Sequence, residues 1–365
     1  MLEKLVINNL LDPLAAGRIY SQAGGIVIGY AGFEIPVELI IAAGAMPLQL
    51  SGLKPTDTKR ADEYLEDSFA PFVRVITENY LQGNLDFLKN IILPRSNDSA
   101  QRLYYYLCEL RRSKQVRGPE PLIYDLAKIP RRTSQVYSEQ ATFRLAEELG
   151  TRGSDLPRAI TLRNQRRRLL EAVNRTRIGQ LSLQGSFIDR VFRTADLCDA
   201  DTFDRALSGW LNKIQGNTGI QGPRLLLSGS TPPDDRLHMA VEKGGGNIVS
   251  ELGDFPCFSA QMPFIPEGGS ISDIAEHYYS MPNSKRSFVD RSEITLACCR
   301  DASVDGVIQW LIEEEEALAW GVPSQIKTLE SAGIPVLSLV RKRWDASDGV
   351  LDEIISFTKR LGDNV

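Results

Sequence analysis

Short β-branched and aliphatic runs alternate with longer amphipathic stretches along most of the chain. The runs at 26–30, 46–50, 89–93 and 122–124 predict strands. The spacing of apolar positions predicts helices over 37–43, 73–81, 100–112 and 130–150, the last with Phe143, Leu145, Ala146 and Leu149 on its apolar face. Two helical stretches, 155–174 and 186–214, then follow with no strand between them. Strands return at 224–228, 247–251, 306–311 and 335–340, with helices ending at the Gly244–Gly246 run and spanning 291–301 and 350–361. The Pro- and Gly-rich stretch from about 252 to 288 reads as irregular, and 216–223 reads as a linker.

Strands that alternate with helices imply parallel sheets. The pattern therefore predicts an α/β protein with two Rossmann- or flavodoxin-like lobes, 1–150 and 219–365, joined by a mostly helical connector over 151–218. The N-terminal lobe is organised around residues 24–52, where a strand, a small-residue turn, a helix opening at Pro36 and a second strand make one compressed βαβ unit. The turn after the first strand of such a unit lies at the carboxyl edge of the sheet, where ligands bind, so Tyr30 to Glu38 is the first candidate site wall.

Composition narrows the classes. The 365 residues are 42% hydrophobic and 24% charged, enough for two cores, and no run is apolar for the length of a bilayer span. The opening residues show no cleavable signal pattern, so a cytoplasmic location with no membrane association is expected. A net charge of −5 argues against nucleic acid as the main partner. Five cysteines spread over the chain are not a disulfide framework. His238 and His277 stand alone without zinc-type spacing, and no P-loop or strand-linked Gly-x-Gly-x-x-Gly occurs.

Several stretches together resemble a known family. Gly29-Tyr30, then Pro36, Glu38, Leu39 and the small residues Ala42 to Ala45 are similar to the opening motif of the 2-hydroxyacyl-CoA dehydratase and benzoyl-CoA reductase subunits (HGD-D type). Pro223 to Ser230 resembles the family's Pro-Arg-Ile-Leu-x-x-Gly-Ser strand, and Lys243 to Asn247 its Ala-Gly-Gly-Asn turn. Asp305 to Ile308 and Ala332 to Leu337 resemble its Asp-Gly-Val-Ile and Gly-Ile-Pro-Val-Leu strands.

The resemblance implies chemistry on acyl-CoA thioesters by electron transfer from a four-iron four-sulfur cluster, charged by an ATP-dependent activator protein. It implies three cluster thiolates per subunit, one in each of three strand-end loops. The corresponding positions here hold Gly32, Asn97-Asp98 and Glu315-Glu316, and Ala70 stands where many relatives carry Cys. Glycine offers no donor, an amide is a poor iron ligand, and one carboxylate does not hold a cluster. The expectation is thus a member lacking the usual cluster cysteines: no cluster bound by this chain in the usual position, and a homologous cluster-bearing subunit as heterodimer partner. The alternatives are a degenerate, non-catalytic scaffold chain, or an acyl-transforming enzyme without redox chemistry.

Candidate residues follow. Glu38, just inside its helix, is a catalytic acid or base or a stabiliser of the helix N-terminus, and Ser96 is the second catalytic candidate. Asn97 and Asp98 open a helix, either as caps or with its free amides as a hold for a thioester carbonyl or phosphate. Tyr30 and Gly32 line the first turn. Gly229 and Ser230 form a small polar strand-end loop for part of a CoA or a partner, without the spacing of a nucleophile elbow. Glu315 belongs to an acidic first helical turn or supplies a metal or water ligand. The arginines Arg163, Arg166, Arg167, Arg168, Arg175 and Arg177 read as a solvated helical face or as a cradle for CoA phosphates or an acidic partner.

Overall fold

The computed structural model describes residues 1–363 except 55, 128, 180–182, 215–221, 254–255 and 282–289, and at 258–259 the backbone alone. The expected linker at 216–223 falls largely outside the described residues. The chain forms two compact units. One comprises Met1–Arg168, Thr194–Ala206 and Met262–Phe288, the other Leu169–Arg193, Leu207–Gln261 and Val289–Val365.

Each unit is built on a four-stranded parallel sheet. The N-terminal unit has β1 (Val27–Tyr30), β2 (Met46–Gln49), β3 (Asn90–Pro94) and β4 (Glu120–Tyr124) in the order β2-β1-β3-β4. The C-terminal unit repeats the order with β5 (Arg224–Gly229), β6 (Asn247–Gly253), β7 (Gly306–Ile312) and β8 (Val336–Lys342) as β6-β5-β7-β8. Central strands covered on both faces must be apolar throughout, and β1, β3 and β7 are buried at every position. This is why they read as runs in the sequence. The two sheets bear out the α/β, two-lobed expectation.

In each sheet the chain leaves the first strand to one side and returns on the other, so the order reverses between β1 and β3 and between β5 and β7. A crevice opens at the carboxyl ends of the strands at such a reversal. The helices α3 (Val37–Ala42) and α6 (Asp98–Arg112) begin beyond the ends of β1 and β3, and α15 (Glu316–Ala319) begins beyond the end of β7.

Several elements differ from the sequence expectation. The first residues form helices Leu2–Leu11 and Ala15–Gln22, and Val322–Ser331 is also helical. The stretch read as irregular contains a helix at Ile271–Ser280, fixed by a capping box between Ser270 and Asp273. This helix packs against Arg132–Leu149 within the N-terminal unit. Linear order does not reveal that return of the chain. Phe143 is 47% exposed rather than in the core. The buried face of its helix runs through Ser134, Ser138, Ala141, Thr142, Leu145, Ala146 and Leu149, and Phe143 projects away from it. The helical stretch 186–214 is two helices, α9 (Gly185–Thr194) and α10 (Ala200–Leu211).

Candidate functional site

The strand ends at the two reversals carry the candidate residues. Tyr30, Gly32 and Glu38 follow β1, and Ser96, Asn97 and Asp98 follow the neighbouring β3, so one sheet edge gathers them. Gly229 and Ser230 at the end of β5 and Glu315 after β7 lie at the corresponding edge of the second sheet.

Local backbone needs account for much of what these residues do. Gly32 has φ +77, a left-handed conformation that favours glycine, and its N–H donates to Ser51 Oγ at 2.8 Å. The Asn97 side chain accepts from the Ala100 N–H at 2.9 Å and caps α6, with Asp98 exposed in the first turn. Ser96 is half-buried in the turn before this cap. Gly229 has φ +120, and a Cβ there would meet the Trp310 carbonyl oxygen at 2.2 Å, so only glycine fits between β5 and β7. Ser230 ties the same strands together: its N–H donates to Trp310 O at 2.8 Å and its Oγ accepts from Ile312 N at 3.2 Å. A cavity of about 10 Å³ beside Ser228, Gly229, Gln309 and Leu311 is large enough for one water. Glu315, 9% exposed, caps α15 by accepting from the Leu318 N–H at 3.4 Å.

Glu38 is fully buried. Arg167 donates to its Oε1, and the Tyr278 hydroxyl donates to Oε2 at 3.0 Å. Burial pushes the Glu38 carboxyl up, but the guanidinium groups of Arg167 and Arg163 outweigh it and hold the pKa below the ordinary range. In this arrangement an acid–base role requires those two bonds to open. Tyr30 is also buried, and its hydroxyl donates to Asp196 Oδ2 at 2.7 Å. Burial and the Asp196 charge raise the Tyr30 pKa well above that of a free phenol.

These contacts correct both readings of the arginine cluster. Arg163, Arg166, Arg167 and Arg177 all lie on α8 (Leu156–Ile178), and each is less than a tenth exposed. Arg163 and Arg166 donate to Asp196 Oδ1 at 2.7 and 3.1 Å, and Arg166 Nε donates to Asp204 Oδ1 at 2.7 Å. Arg177 donates to Glu251 Oε2 at 2.7 Å. Positions 163, 166 and 167 have the i, i+3, i+4 spacing of a helix face turned inward, occupied here by charge instead of hydrocarbon. Arg168 and Arg175 alone fit a solvated face, with side chains 53% and 77% exposed.

The cysteines lie away from the three strand-end loops. Cys108 is inside α6, Cys298 and Cys299 are inside the helix Arg291–Asp301, and Cys198 and Cys257 are buried. Burial raises the pKa of every one of these thiols, to about 12 at Cys198 and Cys299. A cluster needs thiolates converging on one point. The donor set at the loops is a glycine, a capping amide and a capping carboxylate, which does not fit a four-iron four-sulfur cluster.

Sequence reasoning did not connect Asp189, Arg193, His238 and Glu251. They come together in the C-terminal unit from α9, α11 (Arg236–Lys243) and β6. The only local signal is the i, i+4 acid–base pair Asp189 and Arg193; His238 carries none.

No curated protein matches the chain. Residues 33–355 match the sequence model of the family described as 2-hydroxyglutaryl-CoA dehydratase, D-component. That match spans most of both sheets and all the candidate loops except Tyr30 and Gly32, so the chain belongs to the 2-hydroxyglutaryl-CoA dehydratase D-component family.

Proposed function

We propose that this chain is a cluster-free subunit of a heteromeric 2-hydroxyacyl-CoA dehydratase or benzoyl-CoA reductase-like enzyme. Its partner is a related subunit that holds the four-iron four-sulfur cluster and receives electrons from an ATP-dependent activator. The observation that carries the reading is the fate of the three loop positions in a chain of this family. Gly32, Asn97 and Glu315 stand where thiolates are expected, and backbone turns and caps employ them.

The loops retain features suited to an acyl-CoA thioester. Ser96 precedes the first turn of α6, where the positive end of the helix dipole suits a carbonyl or phosphate oxygen. Tyr30, Gly32, Asn97 and Asp98 border that edge. Gly229, Ser230 and Glu315 border the sheet edge of the C-terminal unit, a second candidate surface for part of a CoA or a partner. Glu38 acts as acid or base when Arg167 and Tyr278 release it.

The engagement of both Glu38 oxygens, with the capping roles of Asn97 and Glu315, also favours a second reading: a non-catalytic paralogue that supports a catalytic partner. Co-expression with a related, cluster-bearing subunit of this family separates the two. Under the first reading the complex contains iron and acid-labile sulfide, this chain alone contains no sulfide, and Ser96→Ala or Glu38→Gln lowers turnover while the complex still assembles. Sulfide in neither preparation, or on this chain alone, overturns the cluster-free assignment. Full turnover in both variants leaves the scaffold reading.

A further inference from the structure

The C-terminal unit buries a polar cluster that lies outside the candidate loops. Asp189 and His238 are 0% exposed and Glu251 is 1% exposed. One potential ligand atom from each lies within 4.8 Å of the others, and among the described residues no other set of three His, Cys, Asp or Glu side chains is so placed.

The carboxylates are held from one side only. Arg193 Nε donates to Asp189 Oδ2 at 2.6 Å, and Arg177 Nη1 donates to Glu251 Oε2 at 2.7 Å. The remaining oxygens, Asp189 Oδ1 and Glu251 Oε1, have no hydrogen-bond partner, and neither ring nitrogen of His238 has one. His238 Nε2 and Glu251 Oε1 are 3.1 Å apart, yet their directions do not make a hydrogen bond. A protonated His238 pairs with Glu251 Oε1 at that distance, but Asp189 Oδ1 and His238 Nδ1 keep no partner. Buried polar atoms crowded into one small volume are normally satisfied, so the cluster calls for an occupant.

We propose that Asp189, His238 and Glu251 bind one divalent transition-metal ion of the zinc, manganese or iron(II) class. One imidazole and two carboxylates suit a borderline first-row ion better than calcium or magnesium, which prefer oxygen alone, or copper(I), which prefers sulfur. Ligand atoms about 2.0–2.2 Å from an ion and at right angles around it lie about 3 Å apart, close to the His238–Glu251 separation. Arg177 and Arg193 have the place of outer-shell partners, fixing which carboxylate oxygen faces inward.

The arginines also set a condition. Their two positive charges already balance the two carboxylates, so a divalent ion adds charge that a buried site must offset. The site therefore takes the ion together with an anion, hydroxide or a small carboxylate, at a coordination position the three side chains leave open, which offsets one of the ion's two charges. Because all three ligands are buried, the ion enters as the chain folds.

The test is elemental analysis of the full chain, desalted after expression in media supplemented in turn with manganese, iron, cobalt and zinc, beside Asp189→Asn and Glu251→Gln. Expected is about one equivalent of metal per wild-type chain in at least one medium, falling at least about tenfold in each variant. The cobalt form would show visible d–d absorption that the variants lack, and no acid-labile sulfide would accompany any metal. Less than about a tenth of an equivalent in the wild type from every medium overturns the proposal. So does undiminished metal in a folded Asp189→Asn protein, or stoichiometric sulfide. If a variant fails to fold by circular dichroism, the wild-type stoichiometry and cobalt spectrum still decide.

Discussion

Each unit buries a group of arginines and carboxylates, and the two groups differ in whether the acceptors are satisfied. In the N-terminal unit, Arg167 and Tyr278 take both oxygens of Glu38, while Arg163, Arg166 and Tyr30 take both oxygens of Asp196. In the C-terminal unit, arginine takes one oxygen each of Asp189 and Glu251 and the other is left without a hydrogen bond. A saturated network offers a ligand nothing until one of its bonds opens, and while closed it acts as framework. A half-saturated one keeps directed lone pairs, which is the condition for binding something. Charge and burial alone do not distinguish them; the count of engaged oxygens does.

The largest expected effect comes from opening the saturated network. Arg167→Met removes the cation facing Glu38 and leaves a carboxylate at 0% exposure with one tyrosine hydroxyl. Breaking one side of such a pair costs about 3–5 kcal/mol, whereas replacing both sides with hydrocarbon is often neutral. Urea denaturation of Arg167→Met should show a loss of that size, and Arg167→Met with Glu38→Leu should recover most of it. If the single variant is as stable as wild type, Glu38 is not held as framework and its acid–base role gains weight.

Acid sharpens the contrast next. Burial opposes ionisation of Asp196, but Arg163 and Arg166 more than compensate and bring its pKa to about 2. A carboxyl whose folded pKa lies below its unfolded value stabilises the protein above the unfolded pKa, near 3.9, and loses that contribution as pH falls toward the folded one. The shift corresponds to about 2–3 kcal/mol, lost progressively between about pH 5 and pH 1. Stability measured across that range should fall less steeply in Asp196→Asn than in wild type, with the variant already weaker at pH 7.

A smaller loss is expected from the half-saturated group without metal. In Asp189→Asn the amide oxygen can keep the Arg193 bond while the NH₂ group turns to the side where Oδ1 has no partner. The cost in metal-free protein should be about 1 kcal/mol, the scale of one hydrogen bond, and below that of Asp196→Asn in the same urea assay. Equal losses would mean the two groups do not differ in the way their geometry indicates.

How much of this was legible in the sequence depends on the kind of signal. Strands buried on both faces, such as β1, β3 and β7, read as apolar runs, while β4 and β8 are only partly buried. Among the described residues all eight strands lie within two residues of their expected ends, and the family motif marks the β1 turn. The arginines were misread because charged residues on a helix usually face water, and the acids that bury them are far away: Arg167 pairs with Glu38 across 129 positions. Asp189, His238 and Glu251 sit on separate elements with no shared spacing, so only the folded chain joins them. Ser270 and Asp273 did carry a local capping signal, and it was hidden by the glycines and prolines just before it.

The smallest effect is expected at the other arginines of α8. Arg168 reaches Glu267 at 3.3 Å and Arg175 reaches Glu171 at 2.5 Å, but their side chains are 53% and 77% exposed. An exposed pair gains little because water screens it and two long side chains must be ordered to make it. Arg168→Ala and Arg175→Ala should therefore leave the urea midpoint unchanged within error, in low salt and in high. Residue type, helix and sign of charge are then the same as in Arg167→Met, and burial of the partner carboxylate is what differs. A large loss at Arg168 or Arg175 would show that the arginines stabilise α8 as a helix, by side-chain packing and not by what they pair with, and the comparison between closed and open carboxylates would lose its basis.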